Sequence, residues 1–555
     1  MRIGYDGKIY ELEDGATPQD LWDMVKGARA PYDAVLADCE GDIIDFQTPF
    51  QEDTSVKWIP MKSPMAYRAY QRSLIMLLII AVKETYGEEA DIKVKHTLGA
   101  SLYCEFSDNH IPIQKELDIL CRKMRNIVEE GRDISLRTVT KRRAESFLIN
   151  KNRRKDAELL SQIDVKMINI SQCGDFFDYF FGPMLPDMSY VRTFGLKSYA
   201  PGFLLQFPEI GETELKETEE APLFSRVFLE TQNWSELIGC HSLIDLNMAI
   251  DDQTIGDLIS VAEALHEKKI AELADKICGQ KPVIRLVCIA GPSSSGKTTF
   301  MKRLIIHLRV NGVKPVMLSL DDYFKNRDEM NKEDWEEPEA LDFALFERIV
   351  RDLLEGKAVH LPRFNFITGK KEWAEDVTCL EPDQPILVEG LHGLNPLLSY
   401  FVPGYQCMRV YLSALTPITI NNHNRISTSD TRLLRRMVRD VKTRGHSGED
   451  TLAIWNSVRR GEERNIFRYQ NRADFVFNSA LIYELPVLKK IASPMLKEIK
   501  KGNDLYPEAQ RLLRFLEPFR ETDTSLIPGN SLLREFVGPA CLKSVSYTHL
   551  RAHET

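Results

Sequence analysis

The feature that most restricts what this chain can become is the octapeptide GPSSSGKT at residues 291–298. It follows the apolar run VIRLVCIA and precedes TFMKRLIIHLRV, so a strand, a glycine-bounded loop and a helix are expected in that order. Gly291 and Gly296 let the backbone curl around an anion. The amides of Pro292's successors, Ser293, Ser294 and Ser295, and of Lys297, Thr298 and Thr299 then point inward at the positive end of the helix. In such a loop the lysine reaches the β- and γ-phosphates and the Thr298 hydroxyl ligates Mg²⁺. A Gly/Ser connector matching by chance is the alternative, and the flanking strand and helix argue against it.

The surroundings repeat one rhythm. After residue 281 apolar strands alternate with helical stretches (PVMLSL, PILVEG, CMRVYLS, DFVFNS), which predicts an α/β domain with a parallel sheet and helices on both faces. Ligands in such sheets bind at the carboxyl ends of the strands. PVMLSL ends in Asp321 and Asp322, so Asp321 is the candidate to accept a proton from an attacking hydroxyl, and Asp322 reads as a turn cap. Glu389 closes PILV, where it would hold Mg²⁺ together with Thr298. In DTRLLRRMVRDVKTRG, Arg432, Arg435, Arg436 and Arg439 fall at i, i+3, i+4 and i+7 and share a helix face. Forked guanidinium donors suit phosphate oxygens, so this helix is expected to close over a transferring phosphoryl group; a nucleic-acid-binding helix or a plain surface is the alternative.

Length and composition bound the rest. With 555 residues, two to four domains are expected. The 72 basic and 82 acidic side chains leave a net charge of −10, which argues against a general polyanion-binding surface and makes any anion site local. The longest strongly apolar run, residues 74–82, is too short to cross a bilayer. The N-terminus lacks the basic start and apolar stretch of a signal peptide, so a cytoplasmic protein without membrane contact is expected. The ten cysteines, without CxxC spacing, read as packing residues. Residues 545–555, VSYTHLRAHET, read as a sequencing-adapter frame joined to the chain and are set aside.

Six segments follow. Residues 1–60 have short strands with Asp-Gly and Glu-Gly turns around one helix, a β-grasp pattern. Residues 61–239 are mixed, with helices expected at 67–86 and 113–130 and another over KRRAESFLINKNRRKDAELL, whose charges read as a solvated face. Residues 240–280 form a helical linker, 281–500 the P-loop domain, 501–544 a helical extension and 545–555 the adapter-like tail.

The motifs GPSSSGKT, LSLDDYF, PEALD, LVEG and DTRLLRRMVRDVKTRG occur in the order found in the uridine kinase and phosphoribulokinase family, which residues 281–490 resemble. That resemblance implies ATP and Mg²⁺ as cofactors and Asp321 as the catalytic carboxylate. It also implies Lys297, Arg432 and Arg435 on the phosphates or substrate, with Tyr323, Glu339 and Phe364 lining the acceptor pocket. Uridine kinases carry Asp where this chain has Glu339, Tyr at Phe364 and His at Gly369, so a nucleoside acceptor is implied and uridine is its default. Residues 1–60 resemble the TGS module. Residues 61–239 resemble the second additional domain of threonyl-tRNA synthetases through HTLGASLYCEF at 96–106 and CGDFFDYFFGP at 173–183. The synthetase domain edits mischarged tRNA with an HxxxH pair and a downstream Cys and His. Here MAYRAYQRSL has no His and Cys173 is followed four residues on by Phe177, so a metal site and editing are not expected. Three functions remain: a nucleoside kinase, an RNA- or tRNA-associated regulatory ATPase, and a kinase of another small hydroxyl compound such as a sugar phosphate. Homo-oligomerisation is left open.

Overall fold

The computed structural model describes residues 1–26, 34–163, 165–217, 222–329, 337–365 and 368–542. The adapter-like tail lies outside the described residues.

The first unit has β1 (Arg2–Tyr5), β2 (Lys8–Glu11), α1 (Pro18–Lys26), β3 (Leu36–Cys39), β4 (Asp42–Ile44) and β5 (Thr54–Ile59). Its sheet order is β2-β1-β5-β3-β4 with β1 and β5 parallel, the β-grasp arrangement. The second unit begins with α2 (Pro64–Tyr86), β6 (Ile92–Thr97), β7 (Ser101–Phe106) and α3 (Gln114–Glu130). It continues with β8 (Ser135–Thr140), α4 (Lys141–Asn150), α5 (Arg154–Gln162), β9 (Met167–Cys173), β10 (Phe176–Asp178), β11 (Gly195–Tyr199) and β12 (Gly202–Gln206). Two antiparallel sheets result, β11-β12-β7-β6 and β10-β9-β8.

α2 is long and apolar enough to span a membrane, beyond what its apolar run suggested, but 72% of its most apolar window is buried inside the protein. Its Met76 packs in one core with Phe180 and Met184, while Arg72 donates to the Pro183 carbonyl at 2.6 Å. The single helix expected over residues 141–160 is two, because Asn152 takes φ +60° and ends α4. Nor is its charge run wholly solvated: Arg153 pairs with fully buried Asp178 at 2.7 Å.

α6 (Pro222–Leu237), α7 (Leu243–Asp251) and α8 (Ile255–Gly279) lead into the third unit. The segment expected to be a linker is part of the domain, since Ile270, Leu273 and Ile277 of α8 pack in the core beneath the parallel sheet. That unit comprises β13 (Leu286–Ala290), α9 (Lys297–Val310), β14 (Val316–Ser319), α10 (Phe343–Leu354), the hairpin β15 (Val359–Asn365) and β16 (Lys370–Thr378), and β17 (Ile386–Glu389). Next come β18 (Cys407–Ser413), α11 (Thr428–Thr443), α12 (Gly448–Asn465), β19 (Phe475–Asn478) and α13 (Glu484–Glu498). α14 (Tyr506–Leu516) and the short α15 (Arg534–Val537) close the described chain. The five-stranded sheet runs β14-β17-β13-β18-β19, all parallel, with the P-loop strand β13 in the middle. Burial on both faces explains why β13 and β17 are unbroken apolar runs rather than alternating ones. Most cysteines are packed as expected, but Cys379 and Cys541 are exposed.

The second and third units meet at a buried ion cluster. His423, 1% exposed, lies between Asp178 and Asp91, with Nε2 2.8 Å from Asp91 Oδ1. Beside it the Val94 amide donates to the Asn422 carbonyl at 2.7 Å. Burial alone would push the imidazole pKa down; the two carboxylates override it and hold it up at about 10. In the unfolded chain the same group titrates near 6.5, so above that pH the folded state retains a proton the unfolded state has lost, and stability falls as pH rises. The unfolding free energy is expected to drop by of order 1 kcal/mol per pH unit between about 7 and 9.5. Denaturant melts of wild type and His423→Asn across that range check this, the variant losing the slope.

Candidate active site

The loop after β13 is shaped by glycine and by braces behind it. A Cβ on Gly291 would lie 2.5 Å from the Leu412 carbonyl oxygen, and Gly296 takes φ +86° where the loop enters α9. Lys297 folds back and donates to the carbonyls of Gly291 and Pro292 at 2.9 and 3.2 Å. The Ser294 and Ser295 hydroxyls are buried without hydrogen-bond partners, whereas the Ser293 hydroxyl accepts from Arg436 at 2.9 Å. Thr298 is exposed at the mouth and Thr299 is buried.

Around this loop the strand ends deliver the carboxylates. Glu389, the last residue of β17, is in register with Ile289 of β13 and Ser319 of β14. Its Oε1 accepts from Thr298 Oγ1 and Ser319 Oγ, both at 3.4 Å. Burial and then the charge of Asp321 push its pKa up to about 7, against the pull of Lys297. Asp321 sits in the turn after β14 with its side chain open to solvent but enclosed by the site. Burial raises its pKa, and Lys297, Arg444 and Arg439 oppose that rise. Lys297 is drawn down by burial and supported by Glu389 and Asp321. Lys297, Thr298, Asp321 and Glu389 thus form one electrostatic cluster, as expected from their positions at strand ends and in the loop.

The arginine helix behaves otherwise. Arg432 and Arg435, expected on phosphate, are 1% and 0% exposed. Arg432 forms a two-pronged ion pair with Glu462 at 2.6 and 2.8 Å and donates to the Ser293 carbonyl at 3.0 Å. Glu462 in turn accepts from the Ser293 amide at 2.8 Å. Arg435 binds Glu484 at 2.6 Å, the Ser479 carbonyl at 2.8 Å and the Ser294 carbonyl at 3.3 Å. These two residues therefore grip the loop from behind instead of closing over its front. The apolar stripe Leu433, Leu434, Met437 and Val438 is fully buried, which seats α11 in the core. The cations whose charges reach Asp321 are Arg439 and Arg444, farther along; Arg444 lies outside the i, i+3, i+4 pattern and so gave no sequence signal.

The acceptor-pocket expectations are corrected similarly. Tyr323 is 1% exposed and packs edge-on against Phe346, and Phe364 is 6% exposed and packs edge-on against Phe324, so both belong to the core. Asp322 caps no turn of its own but accepts from the Phe364 amide at 3.2 Å, fixing the hairpin. Gly369 has φ +67° and a Cβ there would lie 2.8 Å from the Arg327 side chain, so turn geometry accounts for this glycine. Glu339 is exposed, in a short turn at Pro338–Ala340.

Cutting the buried brace leaves an uncompensated charge. Arg432→Ala is expected to cost about 3–5 kcal/mol of stability, measurable by denaturant unfolding, because Glu462 would stay buried without its cation.

The chain is 24% identical over 199 residues to the threonine–tRNA ligase of Syntrophotalea carbinolica and 27% identical over 200 residues to that of Geobacter sp.. Each match covers 36% of this chain and 31% of the relative, so the chain spans about a third of the length of the curated relatives it matches. Among solved structures, a possible uridine kinase from Bacillus stearothermophilus is 19% identical with TM-score 0.27, covering 38% of this chain and 98% of that one. D-glycerate 3-kinase from Cryptococcus neoformans is 15% identical with TM-score 0.23, covering 38% and 87%. The part of the chain that holds the site, residues 286–483, matches the Phosphoribulokinase / Uridine kinase family.

Proposed function

We propose that this chain transfers the γ-phosphoryl group of ATP to a small hydroxyl acceptor, and that the acceptor is the 5′-hydroxyl of a uridine- or cytidine-type nucleoside. The observation that carries the reading is the convergence of Lys297, Thr298, Asp321 and Glu389 at the carboxyl ends of β13, β14 and β17. The family match over residues 286–483 supports the same chemistry. The nucleoside rests on the order of the motifs from GPSSSGKT to the arginine helix.

The Thr298 hydroxyl and the Glu389 carboxylate, 3.4 Å apart, are hard oxygen donors that fit Mg²⁺. When bound there, Mg²⁺ neutralises charge on the phosphate oxygens. Lys297 exchanges its two loop carbonyls for the β- and γ-phosphates, the richer anionic partner. Arg432 and Arg435, by holding the Ser293 and Ser294 carbonyls, fix the backbone of the loop whose free amides meet the remaining phosphate oxygens. Asp321 aligns the acceptor hydroxyl and takes its proton as the oxygen attacks in line. Arg439 and Arg444 offset the charge that develops beside Asp321. With Tyr323 and Phe364 in the core, exposed Glu339 is the residue of the three assigned to hold acceptor hydroxyls.

The similarity to threonine–tRNA ligases favours a second reading, an RNA-associated ATPase. One assay separates them. Purified protein incubated with ATP, Mg²⁺ and a panel of nucleosides, pantothenate and ribulose 5-phosphate should form ADP and a phosphorylated product only with the right acceptor. No product from any acceptor, with ATP turnover appearing only on adding tRNA in a salt-dependent manner, would overturn the kinase reading. Lys297→Ala should lower transfer by roughly a hundredfold or more, the scale for losing a preorganised charge on the transition state, with the unfolding midpoint unchanged.

A further inference from the structure

The first turn of the helix that follows the P-loop is touched by a part of the chain far from it in sequence. The Thr299 amide, in the first turn of the 14-residue helix α9, donates to Glu535 Oε2 at 3.1 Å across 236 residues. This amide belongs to the set that the P-loop reading assigns to phosphate. Two carboxylates thus sit on amides of this region, and they differ in kind. Glu462, on the Ser293 amide, is neutralised by Arg432 and is part of the brace behind the loop. Glu535 has no salt-bridge partner among the described residues, and its charge bears on Lys297 and Glu389 at the heart of the site.

The seat is built. Leu532 is fully buried and lies 3.6 Å from where a Cβ on Gly296 would be. The Phe536 ring stacks 5.1 Å from the Arg435 guanidinium. Lys442 donates to the Val537 carbonyl at 2.6 Å and Lys302 to the Leu542 carbonyl at 3.3 Å. At the same loop the Ser294 and Ser295 hydroxyls, 3% and 0% exposed, are without partners, so polar groups of the cradle are unsatisfied while Glu535 holds one of its amides.

We propose that the segment carrying Glu535 is an internal brake on the nucleotide site: its carboxylate occupies the Thr299 amide as a phosphate surrogate and has to leave before the phosphates of ATP can bind there. The inference rests on the nucleotide-binding reading above. Competition between two anions for one amide at a helix N-terminus makes nucleotide affinity depend on the charge of residue 535. Glu535→Gln keeps the size and an acceptor oxygen but removes that charge.

The test is equilibrium binding of a fluorescent ATP analogue to the full chain. Glu535→Gln is expected to bind roughly three- to tenfold more tightly than wild type, the scale for one carboxylate at a helix N-terminus. Equal or weaker binding by the variant overturns the brake while leaving the kinase reading standing. Absence of binding to both proteins overturns both readings. Hydrogen–deuterium exchange on wild type gives an independent check that needs no variant. Saturating ATP should reduce protection of amides at residues 531–541, and unchanged or greater protection there overturns the proposal.

Discussion

Everything the site can do depends on two guanidinium groups buried where water cannot reach them. Arg432 and Arg435 would each be costly inside a protein if left alone; Glu462 and Glu484 make them tolerable, and each also donates from one guanidinium nitrogen to a loop carbonyl, Arg432 to Ser293 and Arg435 to Ser294. The result is a P-loop whose Ser293 and Ser294 carbonyls are held from behind. Ser293 is clamped through its carbonyl, its amide and its hydroxyl at once, by Arg432, Glu462 and Arg436. A hydrophobic contact of the same size would fill the space without fixing the direction of any backbone dipole.

The parts of this arrangement visible in the sequence are those encoded locally. The strand–loop–helix succession around residue 291, the carboxylates at the ends of PVMLSL and PILV, and the parallel alternation all follow from neighbours a few positions apart. The partners of the arginines do not. Glu462 is 30 residues from Arg432 and Glu484 is 49 from Arg435, and nothing in the spacing of the arginine helix says whether its cations meet phosphate or buried carboxylate. The apolar stripe Leu433, Leu434, Met437 and Val438 on the same helix was the clue pointing inward. Tyr323 and Phe364 illustrate the same ambiguity for aromatics, since a ring beside a catalytic motif packs equally well in a core or against a ligand. Glu535 had no signal, because a lone carboxylate 236 residues downstream belongs to no pattern.

The N-terminal half is bound to the P-loop domain by polar contacts rather than carried as an appendage. His423 and Asn422 come from the loop leading into α11, and they reach Asp91, Asp178 and the Val94 backbone of the second unit. In that unit Met76, Phe180 and Met184 belong to one apolar core, and Arg72 donates to the Pro183 carbonyl. To the loop before α11 it presents two carboxylates and the Val94 amide.

The extension that ends near the P-loop first passes over the other two units. Lys501 pairs with Glu52, the Tyr506 ring lies against Gly41, Glu508 pairs with Arg68, and Arg520 donates to the Gln162 carbonyl. The Arg68–Glu508 contact joins positions 440 residues apart. During synthesis the first two units therefore wait, with these surfaces uncovered, until residues 501–508 have left the ribosome. Closure of such long loops is slow relative to local helix formation. The packing of the first two units is accordingly completed by residues made several hundred positions after them.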